Sequence, residues 1–357
     1  MSHACPIWLA IQAGGLRSVA VMGMTKNTGK TVTLNHLLSQ AHAERRVVGL
    51  TSIGRDGEER DQVYQFEKPP VQVHAGCLVA TAQDTLVRAK ARFKPLGPTG
   101  VSSPMGEIWM VKVLEAGDME VAGPSRSQEQ IQIMNLLRQC GADLVLLDGA
   151  LGRSHHASPS VADGVVLATG AAMGGGMGGG MADVIKKTAD RLTLLTLPGV
   201  TTEWHARLQS TMQSGGVSLW QHDGACLWQD TIATLNADTV LADRLASTRA
   251  GVIAVAGAVG RRLWQVVLDA ARTRPDLRLV VQDGTRLFVD AAAIASLRRA
   301  GGEVWAWRGI RMLGVTLNPF SPFGGSFEAA AFVHAAQQQW PQWAVTDVMW
   351  SPLQEAS

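Results

Sequence analysis

The sequence predicts an α/β protein: a domain with a mainly parallel sheet, followed by a second, smaller α/β domain. Three observations carry that expectation. Short runs that are apolar on both faces, such as SVAVMG (18–23) and ADLVLLDGA (142–150), suit strands covered on both sides, as parallel strands are. The segments between them place apolar residues at helical spacing. At 357 residues the chain is long enough for two domains of the usual ~100–200 residues each, and the alternation softens after Pro198 before it resumes. Residues 1–16 read as an N-terminal extension without fixed order, 17–200 as the first domain and 201–357 as the second.

Taken in order, SVAVMG is the first strand, and KTVTLNHLLSQAHAE (30–44) follows as a helix with the apolar residues Val32, Leu34, Leu37 and Leu38 at helical spacing. RVVGLTSIG (46–54) and VQVHAGCLVAT (71–81) read as the second and third strands. QEQIQIMNLLRQCG (128–141) is a helix stopped by Gly141. ADLVLLDGA, DGVVLATGA (163–171) and DRLTLLTLPG (190–199) are read as three further strands. In the second half, GVIAVAGAV (251–259) leads into the helical GRRLWQVVLDAAR (260–272). DLRLVVQDGTRLFV, AAAIASLRRAG, EVWAW, MLGVTLNPF and FEAAAFVHAAQQQW continue the alternation to residue 340.

Composition excludes several classes. Thirty-two basic residues against 30 acidic ones leave a net charge of +2, which gives no electrostatic case for nucleic acid or a membrane surface. Cys5, Cys77, Cys140 and Cys226 are far apart and form no CxxC pair. They point to neither zinc nor a disulfide framework and read as reduced thiols of a cytoplasmic protein. ACPIWLAIQAGG (4–15) is apolar but has no Lys or Arg before it, which argues against a secretory signal. The uncharged run 164–182 is too rich in glycine for a spanning helix. Its start reads as a buried strand, and GGGMGGGM (174–181) as a flexible low-complexity loop.

VAVMGMTKNTGKTVTLNHLL (19–38) carries the chemistry. A strand that runs into a polar, glycine-containing turn and then a helix aims backbone N–H groups and the positive end of the helix dipole at one point, which favours a phosphate. Gly23, Lys26, Asn27, Thr28, Gly29, Lys30, Thr31 and Val32 are the candidate nucleotide-binding residues. Lys30 would reach the β- and γ-phosphates, and the Thr31 hydroxyl would bind Mg²⁺. The usual G-x-x-x-x-G-K-[ST] pattern needs glycine at position 24, where Met24 stands. With Gly23 as its first glycine, the loop is one residue longer. Asp148 ends its strand in the position of a Walker B aspartate, a second candidate for Mg²⁺. Just beyond it, Gly149 and Arg153 stand where a loop would sense a γ-phosphate, whereas the adjacent His155 and His156 read as solvated loop residues.

The long loop resembles the dethiobiotin synthetase/CobQ-like branch (SIMIBI class) of P-loop NTPases, whose members have a glycine six residues before the GK pair, as Gly23 is here. In those families an aspartate after the second strand faces Mg²⁺ or the attacking group. The resemblance therefore assigns that role to Asp56, with Lys30, Asp56 and Asp148 as the catalytic set and Thr31, Asp56 and Asp148 as the metal set. The signature lysine of the ParA/MinD type falls on Thr25, with Lys26 one residue off, so a lysine reaching across a dimer of that kind is not implied. More narrowly, GMTKNTGKTVTLNHLL, DGALGRSHHASPSVADGVVLATGAAM and VTLNPFSPFGGSF are similar to the family of the small KamB subunit of lysine 5,6-aminomutase reactivase, across about residues 17–350.

That resemblance implies an ATP- and Mg²⁺-dependent partner of an adenosylcobalamin-dependent aminomutase. It would release damaged cobalamin together with a MutS-like ATPase subunit, and a homodimer is a further expectation. The alternatives are an ATP-dependent ligase of the dethiobiotin synthetase or cobyrinic acid amidase type, with Lys26, Arg55 and Lys68 as cationic candidates, and a non-hydrolysing nucleotide-binding scaffold. In the second half, Asp283 and Asn318 read as side-chain caps of loops. LNPFSPFGGSF suits either a partner surface or core packing of Phe320 and Phe327.

Overall fold

The computed structural model describes residues 5–53, 70–149, 158–174 and 179–349. The chain divides into two compact units, Met1–Thr188 with Arg311–Ser357, and Ala189–Ile310.

The first unit opens with α1 (Pro6–Ala13), β1 (Ser18–Gly23), α2 (Lys30–Ala43) and β2 (Val48–Ser52). β3 (Val71–Val73), β4 (Leu78–Ala82), α3 (Gln83–Leu86), β5 (Arg92–Ser103), β6 (Gly106–Glu115) and β7 (Gly117–Met119) follow. α4 (Ser127–Gln139), β8 (Leu144–Asp148) and β9 (Gly164–Gly170) then lead into α5 (Met181–Leu195). The second unit contains α6 (Thr202–Ser214), β10 (Val217–Trp220), β11 (Cys226–Asp230), α7 (Ala237–Ser247), β12 (Val252–Val255), α8 (Arg261–Thr273), β13 (Arg278–Val281), α9 (Ala291–Arg299) and β14 (Glu303–Ala306). The chain then returns to the first unit with β15 (Met312–Asn318), α10 (Ala329–Gln339) and β16 (Ala344–Thr346).

Among the described residues the first unit holds a nine-stranded sheet in the order β16-β15-β9-β1-β8-β2-β4-β6-β5. The seven strands from β16 to β4 are mutually parallel, and the β5–β6 hairpin is added antiparallel at one edge. β1, β2, β8 and β9 are buried along their whole length, as their unbroken apolar runs require of strands covered on both faces. α2 contributes Leu34, Leu37, Leu38 and Ala41 to the core beneath them. The β5 edge carries Pro95 and Pro98, residues that withhold an N–H and blunt pairing with another strand. The second unit holds a five-stranded sheet, β11-β10-β12-β13-β14, in which β12, β13 and β14 are parallel and β10 and β11 are antiparallel additions.

Several elements differ from the sequence reading. The N-terminal segment is not loose: α1 buries Ile7, Trp8 and Ile11 completely, and the Trp8 indole N–H donates to Glu44 Oε1 at 2.7 Å. Each such side chain adds roughly 1.5–3 kcal/mol of apolar burial. VQVHAGCLVAT is two strands, β3 and β4, in different sheets. The first six residues of DRLTLLTLPG are the last part of α5, whose buried residues Val184, Thr188, Leu192 and Leu195 recur at helical spacing. A division near residue 200 differs from the observed one, which falls within α5 at Thr188, and β15 and β16 belong to the first sheet rather than to the second unit. The uncharged run forms β9 at Gly164–Gly170, and residues 175–178 of its glycine-rich part lie outside the described residues. No helix among the described residues is long and apolar enough to cross a membrane. Cys5, Cys77, Cys140 and Cys226 are free, and burial pushes the Cys77 thiol up to about 12, so it stays protonated near neutral pH.

The β2 end is pinned by Gly123. A Cβ there would lie 1.8 Å from the Ser52 carbonyl oxygen, a backbone atom that cannot step aside cheaply. Gly123→Ala should therefore cost about 1–3 kcal/mol or more of stability, read by urea unfolding, whereas Gly141→Ala, which meets open space but has a left-handed backbone, should cost about 1 kcal/mol.

Candidate functional site

Parallel register brings the ends of four strands to one edge. Val21 of β1 is level with Asp148 of β8 and Val166 of β9, and Ser52 of β2 is level with Asp148. Backbone bonds extend this alignment past the strands. Gly149 N–H donates to Val21 O (2.9 Å), Ile53 N–H to Asp148 O (3.1 Å) and Met24 N–H to Ala168 O (2.8 Å). The 24–29 loop therefore leaves β1 from a fixed frame. Within it the Thr28 hydroxyl donates to the Thr25 carbonyl at 2.8 Å, and Thr28 is buried. Thr25, Lys26 and Asn27 form the exposed crest.

The loop enters α2 through Gly29, whose φ of +85° is left-handed and suits glycine. As the N-cap, Gly29 supplies no side-chain acceptor to the first turn. The positive end of a 14-residue helix is thus left to whatever anion approaches. Thr31 lies in that first turn and is buried, and Val32 is half-buried beside it.

Lys30 and Asp148 are brought together: Nζ lies 2.8 Å from Oδ1, with side-chain exposures of 20% and 6%. The pair is well withdrawn from water, so each charge depends on the other. Thr51, one residue before the end of β2, has a buried hydroxyl without a hydrogen-bond partner. Among the described residues no group of three His, Cys, Asp or Glu side chains is placed to hold a metal ion. Mg²⁺ bound through a threonine hydroxyl, one carboxylate, water and phosphate oxygens needs no such group, so the Thr31 and Asp148 donor set fits that ion. The uncapped helix and Lys30 likewise fit a polyphosphate.

Asp56, Arg55, Lys68, Arg153, His155 and His156 lie outside the described residues. Asp283 caps its turn, accepting from Thr285 N–H at 2.9 Å. Asn318 caps as well, its Oδ1 accepting from Phe320 N–H at 3.2 Å, but its amide does more: Nδ2 donates to the Asn27 carbonyl at 2.9 Å and so ties the end of β15 to the loop. Thr316 of the same strand bonds Thr33 of α2 at 2.7 Å between hydroxyls. No local signal in the sequence announces these contacts, since Asn27 and Asn318 are separated by 291 positions. Phe320 is 62% exposed, whereas Phe327 packs edge-on against Phe332 at 5.1 Å between centroids. A cleft of about 390 Å³ opens beyond β9 and β15, with Ala171, Met181, Gly325 and Phe327 among its walls.

No protein-family model matches the chain, and comparison with curated proteins and with solved structures gives no significant match.

The buried pair makes a prediction that involves no ligand. Lys30→Met strands the Asp148 carboxylate and should destabilise the fold by about 1–3 kcal/mol. Adding Asp148→Asn should recover most of that loss. A double-mutant cycle measured by urea unfolding checks it, and additive losses would show that the pair is not coupled.

Proposed function

We propose that the chain is a P-loop protein of the dethiobiotin synthetase/CobQ-like class that binds ATP·Mg²⁺ at the 24–32 segment. The observation that carries this reading is the 2.8 Å ion pair between Lys30, the first residue of α2, and Asp148, at the end of the neighbouring strand. A lysine at a glycine-led helix start, beside a strand-end carboxylate, is the charge arrangement that polyphosphate and a hard cation need. Lys30 and the first-turn N–H groups of α2 would hold the phosphates, while Thr31 and Asp148 would face the Mg²⁺. ATP supplies the phosphoanhydride. The chain's part is to orient it, with Lys30 moving its charge from Asp148 to phosphate and Asp148 turning to the cation.

Within that class we assign the chain to nucleotide-driven reactivation of an adenosylcobalamin-dependent aminomutase. Binding and hydrolysis of ATP would be coupled to release of damaged cobalamin, alongside a MutS-like ATPase subunit. The three segments similar to the KamB family support this assignment. The test is ATP turnover with and without a lysine 5,6-aminomutase and its cobalamin. Stimulation by the protein is expected, whereas turnover that responds only to a small carboxylic substrate would favour a ligase.

The nucleotide site has its own test. Lys30→Ala should weaken ATP·Mg²⁺ binding by roughly 10–100-fold in calorimetry while the far-ultraviolet circular dichroism is unchanged. Undiminished affinity in a folded variant would refute the assignment.

A further inference from the structure

Asn35, Ser39 and His42 stand at i, i+4 and i+7 of α2 and so share one side of the helix. Each of them meets the β3 segment. The Asn35 amide bonds in both directions: Nδ2 donates to the Pro70 carbonyl at 3.0 Å, and Oδ1 accepts from the Gln72 N–H at 3.0 Å. Ser39 Oγ and His74 Nε2 share a hydrogen bond at 3.2 Å. The imidazole rings of His42 and His74 stack, with centroids 4.7 Å apart and planes within 10° of parallel. β3 is three residues long and, among the described residues, pairs only with β7. The helix therefore holds the start of this ribbon through an amide and its end through an imidazole pair. From β7 the chain runs on to Ala122, whose N–H donates to Thr81 Oγ1 at 2.8 Å and whose carbonyl accepts from Ala82 N–H at 2.9 Å, at the end of β4.

The two rings sit differently. His42 is exposed in the last turn of α2, whereas His74 is half-buried. Burial, and then the charge of His42, hold His74 below the ordinary histidine range. The carboxylates on the surrounding elements are engaged elsewhere. Asp118 of β7 pairs with Lys90 at 3.3 Å, Glu115 of β6 pairs with Arg92 at 2.6 Å, and Glu44 accepts from Trp8 and Gln12. The other charges there are cationic: Arg45 and Arg46 follow α2, and Lys112 is on β6, whose Val113 carbonyl accepts from Gly76 N–H at 2.9 Å. Cys77 is buried and protonated. His36, earlier on α2, is also held low by burial. A second proton on the stack thus meets a like charge and no free acid. His74 takes its proton at lower pH in the fold than in the unfolded chain. Its contribution is therefore complete above the ordinary histidine range and is lost as the pH falls through that range and below.

We propose that the His42–His74 stack is a proton-operated clasp between α2 and the β3–β7 ribbon, closed at neutral pH and released in mild acid when both rings carry charge. It stands apart from the nucleotide assignment, because none of its residues belongs to the 24–32 segment. The experiment follows amide hydrogen exchange of the full chain by mass spectrometry at about pH 7.5 and about pH 5.5, each corrected for the intrinsic exchange rate. Peptides from β3 and β7 are compared with peptides from β1 and β8. On acidification the wild-type ribbon is expected to lose protection, relative to β1 and β8, by at least about threefold. In His74→Gln, which keeps an amide for Ser39 but takes no proton, that relative loss is expected to vanish. His36 is present in both chains, so its own titration cancels. If His74→Gln fails to fold, a side-chain NMR titration decides: the His74 midpoint should rise in His42→Gln, where the neighbouring charge is gone. The proposal is overturned if the wild-type ribbon keeps pace with β1 and β8 at both pH values, if folded His74→Gln shows the same relative loss, or if the His74 midpoint does not move in folded His42→Gln.

Discussion

One ion pair organises the candidate site. Lys30 and Asp148 belong to different elements, yet β1 and β8 lie side by side in register, and α2 starts only a short loop beyond β1. Strand alignment therefore decides which carboxylate meets the lysine. The sheet holds Asp148 by its backbone on both sides, through Val21 and Ser52, so its side chain projects from a rigid edge rather than from a loop. A charge pair this far from water costs desolvation, and its attraction offsets that cost only while both partners stay in place. An anion that draws Lys30 away must be accompanied by a cation for Asp148. In the proposed reading, such mutual dependence would couple polyphosphate to a divalent ion without any dedicated cage of carboxylates.

A second layer of contacts keeps the loop in position. Thr28 folds back on Thr25, Met24 is tied to β9, and Asn318 reaches from β15 to the Asn27 carbonyl. These bonds hold the backbone of the 24–29 loop against β9 and β15, so its course is fixed before any ligand arrives. Preorganisation of this kind saves the ordering cost of binding. β15 reaches its place only after the chain has built the second unit and returned, so the loop's geometry depends on residues far along the sequence.

What could be read from the sequence follows from locality. β1, α2, β2, β8 and β9 were visible because doubly apolar runs and helical spacing are local patterns, and Lys30, Thr31 and Asp148 stood at their junctions. The end of α5 reads as a strand because Leu192, Leu194, Leu195 and Leu197 imitate a buried one, and only the earlier Val184 and Thr188 reveal the helical period. The β5–β6 hairpin was not read because its edge strand, broken by prolines and glycines, has no clean alternation. The return of β15 and β16 to the first sheet was invisible for a different reason: a parallel strand pairs wherever an edge is open, and no residue within it says which edge that is. Asn318 looked like a loop cap and is one, but its grip on the 24–29 loop depends on that nonlocal pairing.

Nucleotide binding at the proposed site requires Lys30 to exchange its carboxylate partner for phosphate. A crystal structure of the full chain grown with Mg²⁺ and a non-hydrolysable ATP analogue tests this most directly. The expected result is Lys30 Nζ within hydrogen-bond distance of a phosphate oxygen, with Mg²⁺ between that phosphate, the Thr31 hydroxyl and Asp148. An intact Lys30–Asp148 pair, with the analogue absent or seated away from the start of α2, would contradict it.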